Sequence, residues 1–353
     1  MLRKIEKTLI VSPSGNFYGS EQTLYTFLKN TKYNYTVLVR KQNKSFLYNE
    51  LKRLDKHNLL LFRNVKILYL KIFFLLLFNK YNTIYINEAG HIRYAKIIAK
   101  IFPKKNIIIH VRLIEDTVKS RIGSLPENIE LISVSGYIKQ LLTDNCGIQT
   151  NVISSPFRGK VLGLSDGWVK NTSIKTKIGI VGRVTQSKGI KDILDFLIFL
   201  DDKNISSFEF HFFGEVELHI PEVNTFLEND SVKKTAVFHG FSSKETIYSN
   251  VDIILHLNKK EPLGVIFFES LINHIPFIGF NLGGIGFIAK TIGLADCMIG
   301  ETKDWKNELL YKILNYKDCV DLYDKALGDM IVQFAPEKYC TLLEEVFHQT
   351  AKK

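Results

Sequence analysis

The chain has 353 residues, of which 46% are hydrophobic, and this composition predicts a globular protein. Its length exceeds that of one ordinary hydrophobic core and therefore predicts two domains. Its four cysteines lie far apart, with no CxxC pair and no histidine at metal-ligand spacing, which argues against a structural zinc or a disulfide framework and fits a reducing cytosol. The net charge of +11 originates in residues 1–165, which hold 26 Lys and Arg against 10 Asp and Glu, whereas residues 166–353 hold 21 against 26.

The basic half of the chain has two interpretations. It either faces an anionic partner, such as phospholipid or a phosphorylated substrate, or it carries a lysine-rich solvated surface. Net charge is the only feature that suggests nucleic acid, and because no RNA- or DNA-binding motif accompanies it, we expect no nucleic-acid partner. The basic start "MLRKIEK" precedes an apolar run that is too short for a signal peptide and predicts a first strand instead.

The first half alternates short β-branched or aromatic runs with amphipathic stretches. Predicted helices cover residues 20–30, 46–57, 90–101 and 136–145. The predicted strands between them are "TLIVSPS", "YTVLVR", "TIYINEA", "NIIIHVR", "IELISVS" and "TNVISS". Such alternation is typical of βαβ units on a parallel sheet.

The most apolar segment, "ILYLKIFFLLLF" at 67–78, is twelve residues long and therefore too short to span a bilayer. One interpretation is a helix buried under the strand "TIYIN". The alternative is that this segment and the basic half dock to an anionic membrane that presents a lipid-linked acceptor.

The strand–helix pattern restarts after a Gly- and Ser-rich segment at 157–173, with the strands "KIGIVGR", "FEFHFFGE", "AVFHGF", "DIILHLN" and "IPFIGFN". We therefore predict an α/β protein with two Rossmann-like, doubly wound parallel-sheet domains, 1–160 and 174–335, facing a central cleft. Residues 336–353 are predicted to form a terminal amphipathic helix that packs back on the first domain.

The turn "SPSGNFYGSEQTL" joins the first strand to a helix, with Gly15 and Gly19 in the loop and Ser20 as the expected N-cap. Glycines at such a turn let the backbone approach a ligand, and a helix N-terminus favours anions; the alternative is an ordinary turn. The GxGxxG order is absent, and the second strand ends in Arg40 and Lys41 rather than in an acid for a ribose. A dinucleotide oxidoreductase is thereby disfavoured.

In "GIVGRVTQSKGI", Arg183 and Lys188 follow the first strand of the second domain, where ligands collect in open αβ sheets. Two cations at this edge can neutralise a diphosphate, Arg183 with two parallel hydrogen bonds and Lys188 as a point charge. The alternative is a pair of ordinary exposed charges at the end of a strand.

The segment "EPLGVIFFES" places two carboxylates around the start of a predicted helix. The backbone N–H groups of Gly264, Val265 and Ile266 open that helix and form an anion site. Glu269 can accept hydrogen bonds from the hydroxyls of a ribose, and Glu261 from those of a sugar. The alternatives are a loop acid at Glu261 and a solvated or salt-bridged helix position at Glu269.

Taken together, the motifs of the second half resemble the retaining nucleotide-sugar glycosyltransferases of family 4, which have the GT-B fold. That family carries G-R-x(4)-K-G followed by E-x(7)-E. The matching positions are Gly182-Arg183, Lys188-Gly189, Glu261 and Glu269.

Two segments of the first half resemble the same family. "GSEQTL" is similar to its N-terminal G-G-x-E element, with Gly19 and Glu21 retained, and "IIIHVRLIED" to its strand ending in an active-site histidine, here His110. Three departures stand beside the likeness. The usual Asn-Gly-x-Asp reads "SSPFRGK", the acid after the Gly-Gly turn is replaced by Gly286 and Phe287, and the first N-terminal glycine is Tyr18.

The resemblance implies a role for each matched residue. Arg183 and Lys188 would hold the donor diphosphate and stabilise it as leaving group. The amides of Gly264 and Val265 would bind phosphate, and Glu269 the ribose. The transferred sugar would contact Glu261, and His110 would contact that sugar or orient the acceptor; Gly19 would lie in a second ligand-binding loop.

The implied activity is retaining transfer of a sugar from a UDP- or GDP-type donor to a glycan or lipid-linked acceptor, in bacterial surface polysaccharide or glycoconjugate synthesis. Its expected location is the cytoplasm or, peripherally, the inner face of the membrane. No Asp-x-Asp occurs, so neither a catalytic metal nor a cofactor beyond the donor substrate is expected. The alternatives are a catalytically impaired GT-B scaffold subunit, motivated by the departures, and an epimerase or phosphorylase, whose extra acids or cofactor lysine are not evident.

Overall fold

The protein is described by a computed structural model that covers residues 8–41, 46–160, 167–168 and 175–351 and divides into two compact units. Unit 1 runs to Phe157 and resumes at Phe334, and unit 2 is Arg158–Gln333. Most of the predicted linker at 157–173 lies outside the described residues.

Unit 1 is built on a parallel sheet of seven strands in the order β3-β2-β1-β4-β5-β6-β7. All five residues of the first strand are buried, as expected where helices cover both faces of a parallel sheet. The strands are β1 (Thr8–Ser12), β2 (Thr36–Arg40), β3 (Asn58–Phe62), β4 (Thr83–Ile86), β5 (Asn106–Val111), β6 (Ile129–Ser133) and β7 (Asn151–Val152).

The helices of unit 1 are mostly crossovers between successive strands, and the last is the C-terminal helix. They are α1 (Gly19–Asn30), α2 (Phe46–Leu54), α3 (Val65–Leu77), α4 (Ile92–Ile101), α5 (Lys119–Ile122), α6 (Gly136–Cys146) and α15 (Pro336–Ala351).

Unit 2 repeats the plan with five parallel strands in the order β10-β9-β8-β11-β12. The strands are β8 (Thr176–Val181), β9 (Phe208–Phe213), β10 (Ala236–Gly240), β11 (Ile253–His256) and β12 (Phe277–Gly279). The helices are α7 (Ile190–Asp202), α8 (Pro221–Glu228), α9 (Asp230–Thr235), α10 (Lys244–Ser249), α11 (Val265–Ile272), α12 (Gly283–Thr291), α13 (Trp305–Leu314) and α14 (Val320–Gln333). Two doubly wound parallel sheets confirm the predicted α/β class.

One strand, β3, was not predicted from the sequence. The predicted helix 46–57 ends at Leu54, and the left-handed backbone of Asp55, with φ 46°, turns the chain into β3. This strand lies at the edge of the sheet and consists mainly of leucine, so it lacks the β-branched or aromatic signature of the other strands.

The apolar segment at 67–78 forms most of α3. The N-cap of this helix is Asn64, whose side chain accepts a hydrogen bond from the Ile67 amide at 3.0 Å. One face is buried, through residues such as Leu68 and Ile72, whereas Leu70 and Phe74 are exposed. The helix is thus packed on one side only. Among the described residues, no helix is long and apolar enough to cross a membrane.

The helix α15 packs against α1 and completes the core on that side of the unit 1 sheet. Phe347 meets Phe27 edge to face with ring centroids 6.0 Å apart, and Leu343 is fully buried among the same residues. This contact joins the last helix to the first strand–helix unit.

We expect Leu343→Ala to lower the free energy of unfolding of unit 1 by about 2–5 kcal/mol, because it removes buried methyl groups and leaves a cavity. Amide hydrogen exchange in β1, β2 and β4 measures the effect. Gln349→Ala, at an exposed position of the same helix, is the control. Equal protection in the Leu343 variant and the wild type would contradict this account of the core.

Candidate functional site

The unit 2 sheet has its topological switch point between β8 and β11, since the chain winds to one side after β8 and to the other after β11. The strands pair through Ile253 with Ile178 and Ile254 with Gly179. The loops that follow their carboxyl ends carry Arg183 and Lys188 on one side and Glu261 on the other. The fold therefore brings the two predicted motifs to one edge of the sheet.

Glu261 and Lys188 are in direct contact. Lys188 Nζ donates to Glu261 Oε2 at 2.8 Å, and Asn258 Nδ2 donates to the same oxygen at 2.8 Å. His256 Nε2 lies 3.4 Å from that oxygen, at ion-pair distance but without the alignment of a hydrogen bond. Burial alone would raise the pKa of Glu261, but the neighbouring His256 and Lys188 outweigh it and hold that pKa well below its usual value. Glu261 is a fixed anion.

Lys188 reaches this carboxylate from a short 3₁₀ turn, Gln186–Lys188, that ends at Gly189. Gly189 has φ 78°, and a Cβ there would lie 2.5 Å from the carbonyl oxygen of Leu257. A side chain at this position would force the turn away from β11. Glycine is thus required for the close approach that lets Lys188 meet Glu261.

Arg183 lines the same small cavity as Lys188 and His256, beneath the carboxyl ends of β8 and β11. Its guanidinium forms an ion pair with Glu217. Hydrogen bonding from Thr185, together with the charge of Arg183, lowers the pKa of Glu217. Both predicted cations therefore have carboxylate partners in this structure, and an incoming anion would compete with those partners.

Helix α11 begins at Val265, and its N-cap is Gly264, whose left-handed backbone has φ 93°. A Cβ on Gly264 would overlap Ile285 Cδ1, so both conformation and packing require glycine here. The amides of Gly264 and Val265 lie at the start of the helix, where backbone N–H groups have no intrahelical partner. At Gly286, a Cβ would lie 2.6 Å from the carbonyl carbon of Asn281, which leaves no room for a side chain.

Glu269, on α11, has its own set of partners. Lys244 Nζ donates to Oε1 at 2.6 Å, Arg158 Nη2 lies 3.6 Å from that oxygen, and the Tyr248 hydroxyl donates to Oε2 at 3.3 Å. A carboxylate has about four lone-pair positions. Two of them accept the hydrogen bonds from Lys244 and Tyr248, and because only Tyr248 donates to Oε2, this oxygen keeps capacity for a further donor.

Unit 1 has its switch point between β1 and β4, and a carboxyl pair lies at that edge. Glu21 Oε2 accepts from the Tyr18 amide at 3.0 Å, and the Ser20 hydroxyl lies 3.0 Å from Glu21 and 3.5 Å from Glu88. Burial, together with the adjacent Glu21, raises the pKa of Glu88 to about 8. Burial opposes ionisation of Glu21 too, but hydrogen bonds from Glu88 and Ser20 lower its pKa. One proton is therefore shared within the pair near neutral pH.

The loop before α1 differs from prediction in one detail. The N-cap is Tyr18, not Ser20, and Gly19 is the first residue of the helix. A Cβ on Gly19 would meet no atom within 4 Å, so packing does not require glycine at this position.

His110 does not lie on an accessible surface. Its imidazole is 0% exposed, with Nε2 3.1 Å from the carbonyl oxygen of Ile153 and Nδ1 2.9 Å from the Tyr85 hydroxyl. Burial, together with the charge of Arg112, lowers the pKa of His110 well below its usual value, so the ring is neutral with its proton on Nε2. In this conformation His110 cannot touch a donor sugar, and the predicted direct contact is not supported.

Arg112, which sequence reasoning missed, holds the carboxyl ends of three strands together. Its guanidinium donates to the Asn87 carbonyl at 2.9 Å, to Asn87 Oδ1 at 3.0 Å and to the Ser155 hydroxyl at 3.1 Å. A further bond of 3.3 Å reaches the Tyr339 hydroxyl on α15. The only sequence signal was a lone arginine just past the end of a strand.

Other members of the site were also missed. Each of them lies close to a residue that the sequence analysis named, and they are Arg158, Lys244, Tyr248, His256 and Glu88. His256 could have been found because it closes a strand at the switch point. Lys244 and Tyr248 stand four positions apart on α10, a spacing that puts both on the same helix face.

Neither a protein-family model nor a curated protein sequence matches the chain. Several solved structures do. HepE of Anabaena in complex with UDP matches with a TM-score of 0.73 and 14% identity, covering 97% of this chain and 100% of HepE. The apo form of the lipopolysaccharide outer core galactosyltransferase WaaB matches with a TM-score of 0.70 and 15% identity, over 98% of this chain and 100% of WaaB.

TarM of S. aureus, in complex with fondaparinux, alpha-GlcNAc-glycerol and UDP, matches with a TM-score of 0.69 and 10% identity, over 98% of this chain and 100% of TarM. At these identities the likeness shows the fold alone. This chain has two parallel-sheet α/β domains, of seven and five strands, that match the GT-B glycosyltransferase structures.

Proposed function

We propose that this protein is a retaining glycosyltransferase of the family-4 type, which moves a sugar from a nucleotide-diphosphate sugar to a hydroxyl of a glycan or lipid-linked acceptor in surface polysaccharide or glycoconjugate synthesis. The observation that carries the proposal is the cluster of Lys188, Glu261 and His256 at the switch point of a sheet that also presents Arg183 and the start of α11. Structures with this fold include HepE complexes with UDP and with UDP-glucose, which supports a sugar-nucleotide donor.

The donor would bind to unit 2 by exchange of partners. Its diphosphate would take Arg183 from Glu217 and engage Lys188, with the amides of Gly264 and Val265 as further donors. The ribose hydroxyls would donate to Glu269, where Oε2 has capacity. The transferred sugar would place its hydroxyls against Glu261, which is ionised and acts only as an acceptor.

The reaction forms a bond between the acceptor oxygen and the anomeric carbon and breaks the bond from that carbon to the diphosphate oxygen. Attack on the same face retains configuration, and an oxygen of the departing phosphate takes the acceptor proton. Arg183 and Lys188 would stabilise the charge that develops on the leaving nucleoside diphosphate. Glu261 and Glu269 have binding roles, unlike the acid/base carboxylates of glycoside hydrolases.

The acceptor would bind to unit 1 at the carboxyl ends of β1 and β4. Gly19 leaves open space there, and the pair of Glu21 and Glu88 offers a carboxyl that donates beside one that accepts. His110 would act at a distance, as a positioning residue that fixes Tyr85 and Arg112 beneath this edge.

We expect Lys188→Met to weaken UDP binding by about 10- to 100-fold, since a charge-assisted hydrogen bond contributes about 1.5–3 kcal/mol. Calorimetric titration with UDP measures this change. Lys234→Met, which removes an exposed ion pair with Asp201 elsewhere in unit 2, is the matched control and keeps wild-type affinity.

Because Lys188→Met leaves the mostly buried carboxylate of Glu261 without its lysine partner, we add the double variant Lys188→Met/Glu261→Gln, in which no unpaired carboxylate destabilises the fold. It removes both charges and should still bind UDP weakly. Wild-type affinity in the folded double variant would refute the diphosphate site.

Glu269→Gln should reduce the preference for ribose. We expect wild-type protein to bind UDP at least tenfold more tightly than its 2′,3′-dideoxy analogue, and the variant to bind the two almost equally, because the ionised acceptor for the hydroxyls is gone. Competition titration with both ligands measures the ratio. An unchanged ratio in the variant would place the ribose elsewhere.

Gly19→Leu should lower the release of UDP from UDP-glucose, assayed with a panel of hydroxyl acceptors, by at least about tenfold, because the added side chain occupies open space at the acceptor edge. Thermal unfolding should stay close to wild type. The control is Gly328→Ala, another glycine whose Cβ would meet no atom within 4 Å, and it should keep full activity. Full activity in Gly19→Leu would remove this loop from the site.

The carboxyl pair predicts a pH dependence of stability. The pKa of Glu88 is raised from 4.5 to about 8 on folding, so between these values the folded state holds a proton that the unfolded state has lost. This group therefore makes stability fall as pH rises from about 4.5 to about 8, with no further change above that window.

Glu88→Gln should abolish that contribution. The measurement is the difference in unfolding free energy between wild type and variant at several pH values, with Glu127→Gln, an exposed glutamate of the same unit, as control. A difference that does not change between pH 5 and 8 would contradict the shared proton.

A further inference from the structure

The outer face of unit 1 exposes a continuous set of apolar side chains on two helices. On α3 they are Leu70, Phe74, Leu77 and Phe78, whose spacing of four, three and one residues forms a single stripe along the helix and its C-cap. On α4 they are Ile97 and Ile101, four residues apart. All six are between 46% and 69% exposed.

The two helices lie side by side, so the two stripes form one surface. Tyr69 stacks on Tyr94 with ring centroids 5.1 Å apart, and Phe73 meets Phe102 edge to face at 5.4 Å. Helix α3 connects β3 to β4, and α4 connects β4 to β5. Both connections move along the sheet in the same direction, and because such crossovers are right-handed, both helices cover the same face. We call these six side chains the α3–α4 patch.

The helix α3 is apolar toward both sides. Its inner face, with Leu68, Ile72 and Leu76, is buried, while its outer face carries the patch. A helix that packs against a protein core on one side normally has a polar outer face. A helix that is apolar all round is normally in contact with apolar material on both sides. Contiguous exposed apolar surface of this kind marks an interaction site.

The charges around the patch are predominantly positive, with the exposed Glu127, which lines the same groove as Lys100 and Lys104, as an exception. Residues 56–114 hold eleven Lys and Arg and a single carboxylate, Glu88, which belongs to the carboxyl pair at the end of β4. Neither α3 nor α4 contains an acidic residue. The lysines Lys66 and Lys100 are exposed, and in the part of the chain that the structure describes neither is within ion-pair distance of a carboxylate.

From these observations we propose that the α3–α4 patch inserts into the interface of an anionic phospholipid bilayer, with the surrounding lysines against the lipid headgroups. Apolar side chains between cations are the arrangement of interfacial helices, in which lysine stems lie along the apolar surface and ammonium groups reach the phosphates. A second copy of this chain is a poor occupant, because it would bring two basic surfaces together. The proposal concerns a surface of unit 1, whereas the donor cluster belongs to unit 2, and it does not depend on the proposed activity.

The test is flotation of the full chain with vesicles of neutral phosphatidylcholine, with and without 30% phosphatidylglycerol. We expect binding to the anionic vesicles that falls steeply with salt, and little binding to neutral ones. Lys66→Gln/Lys100→Gln should weaken partitioning by about fivefold for each charge removed. The charge control is Lys290→Gln/Lys325→Gln, two exposed lysines of unit 2.

The apolar contribution is tested by Phe74→Ser/Phe78→Ser, which should weaken binding at least tenfold without loss of helix content by circular dichroism. Val332→Ser/Leu314→Ser, at exposed apolar positions of unit 2, is the matched control and should bind like wild type. In Phe74→Trp, brominated lipid should quench an added fluorescence component that the wild type lacks.

Three results would overturn the proposal. They are equal binding to neutral and anionic vesicles, equal losses in the patch variants and their controls, and a wild-type dimer that Phe74→Ser/Phe78→Ser dissociates in sedimentation. The last result would make the patch an interface between copies or with another protein.

Discussion

The loop after β11 is organised around one carboxylate, that of Glu261, whose side chain is only 16% exposed. An ionised Glu261 without partners would cost several kcal/mol, so the fold must bring a cation to it. Lys188 does so from 73 positions earlier in the chain, and it can because Gly189 lets the 3₁₀ turn lie against the backbone of Leu257. Two motifs that are separate in sequence therefore form one cluster of interacting charges. The placement of Arg183 and α11 follows from the same packing of β8 beside β11.

Both cations of this cluster are already paired with carboxylates. Lys188 is paired with Glu261, and Arg183 with Glu217. In the proposed function a diphosphate competes with these carboxylates, and binding exchanges one anion for another instead of filling an unneutralised site. Such an arrangement limits the cost of the empty state, because the mostly buried carboxylates of Glu217 and Glu261 keep cationic partners. It also favours a dianionic ligand over a single carboxylate, since only the former engages both cations together.

The sequence predicted the parts of this molecule that depend on local patterns. β-branched or aromatic runs predicted eleven of the twelve strands in the part of the chain that the structure describes. The motif spacing also predicted that Arg183, Lys188 and Glu261 follow the carboxyl ends of neighbouring strands, where Lys188 contacts Glu261. The edge strand β3 was missed because its leucines carry no strand signature. The partners of Glu269 could not be predicted either: Lys244 and Tyr248 reach it from a helix of another βα unit, and only the packing of α10 on α11 makes them neighbours.

His110 shows a different limit. A motif fixes where a residue lies along a strand, but in a parallel sheet covered on both faces neither side of the strand is solvent, so alternation carries no information about access. His110 and Arg112 stand two positions apart and project to the same side, where Arg112 Nη2 approaches the imidazole Nδ1 at 3.2 Å. That contact requires a neutral ring. The residue is consequently part of the support beneath the edge and not part of the edge itself.

Burial alone does not decide the state of the acids at the two switch points. Glu261 and Glu88 are both largely removed from water, yet the first is kept ionised by Lys188 and His256 and the second keeps a proton because Glu21 is its neighbour. Unit 2 thereby presents cations and a fixed acceptor, which suit a diphosphate and a sugar. Unit 1 presents a carboxyl pair that both donates and accepts, which suits neutral hydroxyls and repels phosphates. Because of this difference in charge, a donor with two phosphates would bind at the sheet of unit 2. An acceptor that reacts through a hydroxyl would bind at the sheet of unit 1.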